Sequence, residues 1–149
     1  MTDRNALVVD DHPTNRLLAG ALLKKLGWTV REAESGEAAL TLATQHSFRL
    51  VLLDISMPGL SGEETCVALR QGQAERQMHI LAYTAHAFPE DRLRFLAVGF
   101  DDILVKPINR QRLKNWSAIW LRSDFSQRHI QLHQALKAYN RYPCLKSIR

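Results

Sequence analysis

The chain has 149 residues, 46% hydrophobic and 23% charged, so it is long enough for one full domain and too short for two ordinary ones. No apolar run approaches the roughly 20 residues of a membrane span, and no secretory signal follows Met1. Residues 1–121 carry 14 basic and 14 acidic side chains, so the body of the chain gives no electrostatic reason to bind nucleic acid.

Five short apolar segments alternate with five helical patterns along residues 6–121. Strands are predicted at residues 6–9, 28–33, 50–54, 79–84 and 102–105. Helices are predicted after Pro13, Ser35, Gly62, Pro89 and Asn109, with stops at Gly27 and Gly99. Alternation with short connections predicts an α/β fold, a doubly wound (βα)5 flavodoxin-like sandwich with a five-stranded parallel sheet and helices on both faces.

The helical patterns also predict which side chains face the core. The apolar positions are Leu18, Ala21, Leu22 and Leu26; Ala38, Ala39, Leu42 and Ala43; Cys66 and Leu69; and Leu113, Trp116 and Trp120. Cys66 is interpreted as core filler rather than a reactive thiol. Cys66 and Cys144 form neither a metal motif nor a disulfide framework, so we expect reduced thiols and a cytoplasmic protein.

A polar side chain follows four of the five predicted strands. Asp10 and Asp11 follow the first strand, Asp54 ends the third, Thr84 ends the fourth, and Lys106 follows the fifth. Because the carboxyl ends of parallel strands meet at one edge of a sheet, these groups are expected in one crevice. Three adjacent carboxylates repel one another unless a cation joins them, and Mg²⁺ is the hard divalent ion that suits oxygen ligands.

Taken together, these groups predict phosphoryl transfer to a carboxylate. Asp54 is the expected nucleophile, while the metal and Lys106 neutralise the phosphoryl oxygens. The chain has no Gly-x-x-x-x-Gly-Lys loop to hold a nucleotide, so the phosphoryl group is expected on a small molecule or another protein. Each feature alone is common in loops, and only their joint placement favours the functional interpretation.

From Ala6 to about Leu121 the chain resembles the receiver domain of two-component response regulators, most of all the receivers of hybrid sensor kinases. The resemblance lies in the motifs at residues 8–11, 53–59, 83–85 and 106–108. It implies a phosphorelay protein in which Asp54 accepts a phosphoryl group from a phosphohistidine of a sensor kinase or phosphotransfer protein. It also implies that Asp11, Asp54 and the backbone carbonyl of Ser56 ligate Mg²⁺, with Asp10 helping through water.

The same resemblance implies roles for Thr84 and Lys106, which would hold the phosphoryl oxygens, and a cis bond between Lys106 and Pro107. One departure concerns Ile103, which occupies a position where receivers usually carry Tyr or Phe, so an aromatic swing there is not expected. Ser56 and His86 lie where the family tunes hydrolysis of the phosphoryl group. An exposed His86 without a role is an equal alternative.

The last 28 residues form a basic tail, with six basic side chains against Asp124 in residues 122–149. One extra helix is predicted over about 124–140, ended by Pro143, and a tail this short holds no DNA-binding output domain. Docking on its own domain is favoured over partner binding, nucleic acid is disfavoured, and a homodimer through an exposed Trp116 or Trp120 stays open.

Three function classes follow from these observations. The first is a non-enzymatic phosphoacceptor that catalyses only its own phosphorylation, either free-standing or part of a hybrid kinase. The second is a receiver-like interaction module that does not need phosphorylation, supported by Ile103 alone. The third is a flavodoxin-like or phosphatase-like enzyme, which lacks a phosphate-cradling loop after the first strand and has Ser56 where a phosphatase needs a second Asp.

Overall fold

The computed structural model describes residues 4–72, 78–85 and 87–120, with side chains taken as far as Trp116. Five strands and five helices alternate along these residues. The strands are β1 (Asn5–Val9), β2 (Thr29–Ala33), β3 (Leu50–Asp54), β4 (His79–Thr84) and β5 (Asp102–Val105). The helices are α1 (Pro13–Lys25), α2 (Gly36–Gln45), α3 (Gly62–Gly72), α4 (Pro89–Val98) and α5 (Arg110–Trp120).

All four strand pairings are parallel, in the order β2-β1-β3-β4-β5. The alternating pattern therefore predicted the fold class correctly, including the doubly wound sheet. β3 lies in the middle and every one of its residues is buried. A strand that is covered on both faces has no polar side to present, which explains its unbroken apolar run.

Each face of the sheet has its own apolar cluster. Leu50 and Leu52 of β3 point to the face covered by α1 and α5, whereas Val51 and Leu53 point to the face covered by α2, α3 and α4. This is the alternation that a pleated strand imposes on its side chains. Cys66 is in the second cluster, where burial raises the pKa of its thiol to about 12, so its role as core filler is confirmed.

The predicted helix starts agree with the structure. Ser35 begins α2, because its Oγ accepts a hydrogen bond from Ala38 N at 3.1 Å. Asn109 caps α5 by accepting from Gln111 N at 2.8 Å and Arg112 N at 3.2 Å. These side-chain acceptors satisfy backbone N–H groups that a first helical turn leaves without a partner.

The buried stripe predicted for α1 is wrong at two positions. Leu18 is 45% exposed and Ala21 is also exposed, while Leu22 and Leu26 are partly buried against the core. The residues that α1 buries fully are Ala19, Gly20 and Leu23. Residues 17–23 of this helix carry no polar side chain, so two overlapping stripes have helical spacing, and the small pair Ala19-Gly20 lets its side of the helix approach the sheet more closely.

Other predicted inward-facing residues are mostly confirmed. Ala39, Ala43, Leu69, Leu113 and Trp116 are buried. Ala38 and Leu42 are only partly buried against the same cluster. The side chain of Trp120, the tail at 122–149 and Cys144 lie outside the described part of the chain, so the predictions for them stay predictions.

Candidate functional site

The site forms at the carboxyl edge of the sheet, where β1, β3 and β5 end. Val9 pairs with Leu53 across the β1–β3 ladder, so Asp10 and Asp54 are brought side by side as the next residues. Asp54 in turn pairs with Tyr83 of β4, and Thr84 pairs with Val105 of β5. Strand register alone therefore aligns the polar groups that follow these strands.

Three carboxylates converge at this edge. Asp10, Asp11 and Asp54 each offer one carboxylate oxygen, and these oxygens lie within 4.8 Å of one another. Asp10 is fully buried and Asp54 is 3% exposed. Asp11 Oδ1 is buried and accepts no hydrogen bond from any described residue. A buried oxygen without a donor, inside a group of oxygen ligands, fits a hard divalent cation.

The loop from β1 to α1 holds Asp10 in place. His12 N donates to Asp10 Oδ1 at 2.8 Å, and Arg16 Nη1 donates to the Asp10 backbone oxygen at 2.7 Å. Arg16 also lies 3.9 Å from Glu32 of β2. The role of Arg16 was not predicted, because its contact is with a backbone carbonyl that only the folded loop presents.

Lys106 faces the carboxylates from the end of β5. Its Nζ lies 3.1 Å from Asp10 Oδ2 and 3.2 Å from Asp54 Oδ1. Its backbone N donates to Thr84 O at 2.7 Å, which ties the β5–α5 loop to the end of β4. The Lys106–Pro107 bond is cis, as the resemblance implied.

Burial and neighbouring charge raise the pKa of Asp54 to about 6. Burial is the largest cause and the charge of Asp10 the next, while Lys106 and a hydrogen bond from Ser56 N, at 3.2 Å from Asp54 Oδ1, act in the opposite direction. Burial also acts to lower the pKa of Lys106, but its contacts with Asp10 and Asp54 outweigh this and the pKa rises. The lysine is therefore held as a cation beside a carboxylate that is ionised at neutral pH.

The remaining predicted residues have different positions. Ser56 contributes its N–H to Asp54, and Thr84 ends β4 next to Lys106. Ile103 is buried in β5 among the side chains that face α2, α3 and α4. His86 lies outside the described residues, so both hypotheses for it, a role in hydrolysis of the phosphoryl group and no role, stay predictions.

Tyr83 was predicted as a strand residue and as part of the motif at residues 83–85 but was given no role of its own, yet its ring belongs to the site. Lys106 Nζ lies over this ring, 4.8 Å from its centroid. The direction of a side chain that ends a buried strand depends on pairing with the neighbouring strand, which the apolar pattern of β4 does not reveal. The signal available was an aromatic residue directly before the polar residue at a strand end.

The sequence model of a protein family, the response regulator receiver domain, matches residues 6–117 of this chain. The chain belongs to the response regulator receiver family. It is 39% identical over 129 residues to the sensor protein GacS of Pseudomonas syringae, covering 82% of this chain and 14% of GacS. It is 39% identical over 109 residues to the histidine-protein kinase BarA of Shigella flexneri, covering 73% of this chain and 12% of BarA.

Solved structures show the same fold. The receiver domain superimposes on the chemotaxis protein CheY4 of Vibrio cholerae with a TM-score of 0.74 and 30% identity, covering 79% of this chain and 98% of CheY4. Receiver domains of this kind belong to two-component phosphorelays, in keeping with a phosphoacceptor role. Among the helices that the structure describes, none combines the length and apolarity needed to cross a bilayer.

Proposed function

We propose that this receiver domain accepts a phosphoryl group on Asp54 from a phosphohistidine of a sensor kinase or phosphotransfer protein. The observation that carries the proposal is the contact of Lys106 with both Asp10 and Asp54, beside three converging carboxylates. Lys106 supplies positive charge to the oxygens of a transferring phosphoryl group, and the three carboxylates can hold a cation that supplies more. The likeness to GacS and BarA supports a histidine kinase as the class of donor.

Asp54 is the nucleophile of the proposed reaction. An oxygen of Asp54 attacks phosphorus, a P–O bond forms, and the electron pair of the breaking P–N bond returns to the imidazole. The Lys106 ammonium and the Thr84 hydroxyl hold the phosphoryl oxygens. A pKa of about 6 leaves Asp54 ionised and nucleophilic at neutral pH.

The proposed metal is Mg²⁺, which Asp11, Asp54 and the backbone carbonyl of Ser56 would hold directly, with Asp10 helping through water. When bound, it neutralises the charge that collects on the carboxylates and on the phosphoryl oxygens. The unpartnered Oδ1 of Asp11 supports this assignment, because a buried carboxylate oxygen is costly without a donor or a cation. No continuing turnover is proposed, so the domain acts as an acceptor whose modification changes its contacts with other proteins.

We also propose that the chain is cytoplasmic, because a kinase makes its phosphohistidine with ATP, and ATP is a substrate found in the cytoplasm. The chain spans only 14% of GacS and 12% of BarA, so a free-standing regulator and a part of a hybrid kinase both fit it.

Intact-mass spectrometry after incubation with acetyl phosphate tests the proposal. With Mg²⁺, the wild-type chain is expected to gain one phosphoryl group that resists acid and is released by alkali. Asp54→Asn is expected to gain none, and removal of Mg²⁺ with a chelator is expected to abolish the gain. Asp102→Asn is the matched control, because Asp102 begins β5 at the opposite edge of the sheet and pairs with Arg92 at 3.1 Å. An adduct on Asp54→Asn would overturn the assignment.

A phosphorylation-independent interaction module is the second candidate, and the burial of an aliphatic Ile103 in β5 favours it. Amide NMR spectra with Mg²⁺ and beryllofluoride separate the two. The phosphoacceptor proposal requires shifts at the ends of β3, β4 and β5, whereas a spectrum that does not change would favour the module.

A further inference from the structure

Tyr83 lies directly beneath the lysine of the site. The side chain is 1% exposed, and Lys106 Nζ is 4.8 Å from the ring centroid. An ammonium group has three N–H donors and no acceptor, and here two carboxylates, Asp10 and Asp54, lie within 3.1 and 3.2 Å of it. The negative face of an aromatic ring attracts a cation in the remaining space, and more strongly where water is excluded.

The ring is fixed by elements on several sides. The backbone of Tyr83 pairs with Asp54 across the β3–β4 ladder, and the Tyr83 carbonyl accepts a hydrogen bond from Ile55 N at 3.3 Å. Its ring is part of the cluster under α1 and α5. Burial raises the pKa of the Tyr83 hydroxyl, whereas the charge of Lys106 and a hydrogen bond from the Ile108 backbone act to lower it. Tyr83 therefore contacts the β5–α5 loop at two points, Lys106 and Ile108.

We propose that Tyr83 is a positioning residue for phosphoryl transfer, whose ring face holds the Lys106 ammonium in the site. The inference rests on the proposed function, because it concerns the lysine that meets the phosphoryl oxygens. The carboxylate contacts of Lys106 change when Asp54 becomes an acyl phosphate, whereas the ring contact has no charge to lose. The ring thus keeps the ammonium at the same place before and after transfer.

Two substitutions separate the ring from the hydroxyl. Tyr83→Phe keeps the aromatic face, and Tyr83→Leu keeps an apolar side chain without one. NMR of the Lys106 ε-methylene protons is the first measurement, since protons over a ring are shifted upfield. We expect this shift in the wild type and in Tyr83→Phe, and we expect its loss in Tyr83→Leu. Lys106 ε-protons at ordinary positions in the wild type would overturn the proposal without any variant.

Beryllofluoride affinity with Mg²⁺ is the second measurement. Tyr83→Leu is expected to bind about three- to thirtyfold more weakly, the range that a desolvated cation–π contact supports, and to be phosphorylated more slowly by acetyl phosphate. Tyr83→Phe is expected to match the wild type within about twofold. Leu69→Ala is the control for lost stability, because Leu69 of α3 is buried in the other cluster, and it is expected to keep full affinity.

Equal affinity of Tyr83→Leu and the wild type would overturn the role of Tyr83, and so would a Phe variant as weak as the Leu variant. A failure of the proposed function is distinguishable, because the wild type itself would then bind no beryllofluoride and accept no phosphoryl group.

Discussion

Asp54 is held where its charge is unfavourable for the folded chain, because burial and the charge of Asp10 both act against the carboxylate form. The pKa of its carboxyl group rises from 3.8 to about 6. Between these values the folded state holds the proton more tightly than the unfolded state does. The free energy of unfolding therefore falls as the pH rises through this window, and it stays lower above it.

The first prediction follows from this sign. Asp54→Asn is expected to be more stable than the wild type at pH 7 in metal-free buffer, by roughly 1 to 3 kcal/mol, and to lose this advantage near pH 4. Urea unfolding at the two pH values measures the difference. Mg²⁺ is expected to stabilise the wild type and not the variant, since the variant lacks one of the proposed ligands. An equal difference at both pH values would refute the explanation.

At this scale, sequence reasoning reached the residues whose placement depends on strand ends alone. Asp10, Asp54 and Lys106 follow apolar runs, and parallel pairing is sufficient to bring them together. Tyr83 and Arg16 were missed because their contacts depend on the direction of a side chain after pairing, and on a carbonyl that a folded loop turns outward. Neither property leaves a periodic signal in the sequence.

α3 begins in close contact with the backbone at the end of β3. Gly62 N donates to Ile55 O at 3.1 Å, and Gly62 is buried. A Cβ at Gly62 would collide with the backbone carbonyl oxygen of Asp54 and lie 2.7 Å from Ile55 Cα. Backbone atoms cannot rotate away as a flexible side chain can, so the first turn of α3 fixes the position of the strand end that carries Asp54.

Gly62→Ala is therefore expected to lower the free energy of unfolding by about 2 kcal/mol or more, because overpacking displaces backbone. It is also expected to slow phosphorylation of the fraction that stays folded, since Asp54 shifts with the strand end. Gly72→Ala is the matched control, because no described atom lies within 4 Å of a Cβ there. Thermal unfolding compares the two, and equal melting temperatures would show that the strand end yields without cost.

Helix boundaries were predictable because their signals are local. Ser35, Asn109 and Gly99 each act within one turn of the helix that they begin or end. The buried stripe of α1 was not predictable, because the side that a helix buries depends on how closely that helix approaches the sheet. Ala19 lies against the sheet, while Leu17 is 70% exposed.

Across the whole molecule, the site and an ionic network lie at opposite edges of the sheet. Arg70 of α3 donates to Gly99 O at 2.8 Å, to Met78 O, and to the buried carboxylate of Asp101 at 2.8 Å. Asp101 also accepts from Ile80 N at 2.8 Å. The network thus joins α3, β4, the end of α4 and the start of β5, and the stretch of β4 from Ile80 to Thr84 separates it from the site by roughly 13 Å.

Because of this separation, the network is expected to support stability without affecting the chemistry. Arg70→Met removes the cation and leaves the Asp101 carboxylate buried, so we expect a loss of about 2 to 4 kcal/mol in the free energy of unfolding. Arg92→Met is the control, because the Arg92–Asp102 pair is also close, at 3.1 Å, but Arg92 is 57% exposed. Its loss in the free energy of unfolding is expected to stay below about 1 kcal/mol, as for other exposed pairs.

Both variants, measured well below their melting temperatures, should accept phosphoryl groups from acetyl phosphate at the wild-type rate. A slower rate in Arg70→Met alone would mean that the two edges of the sheet are coupled.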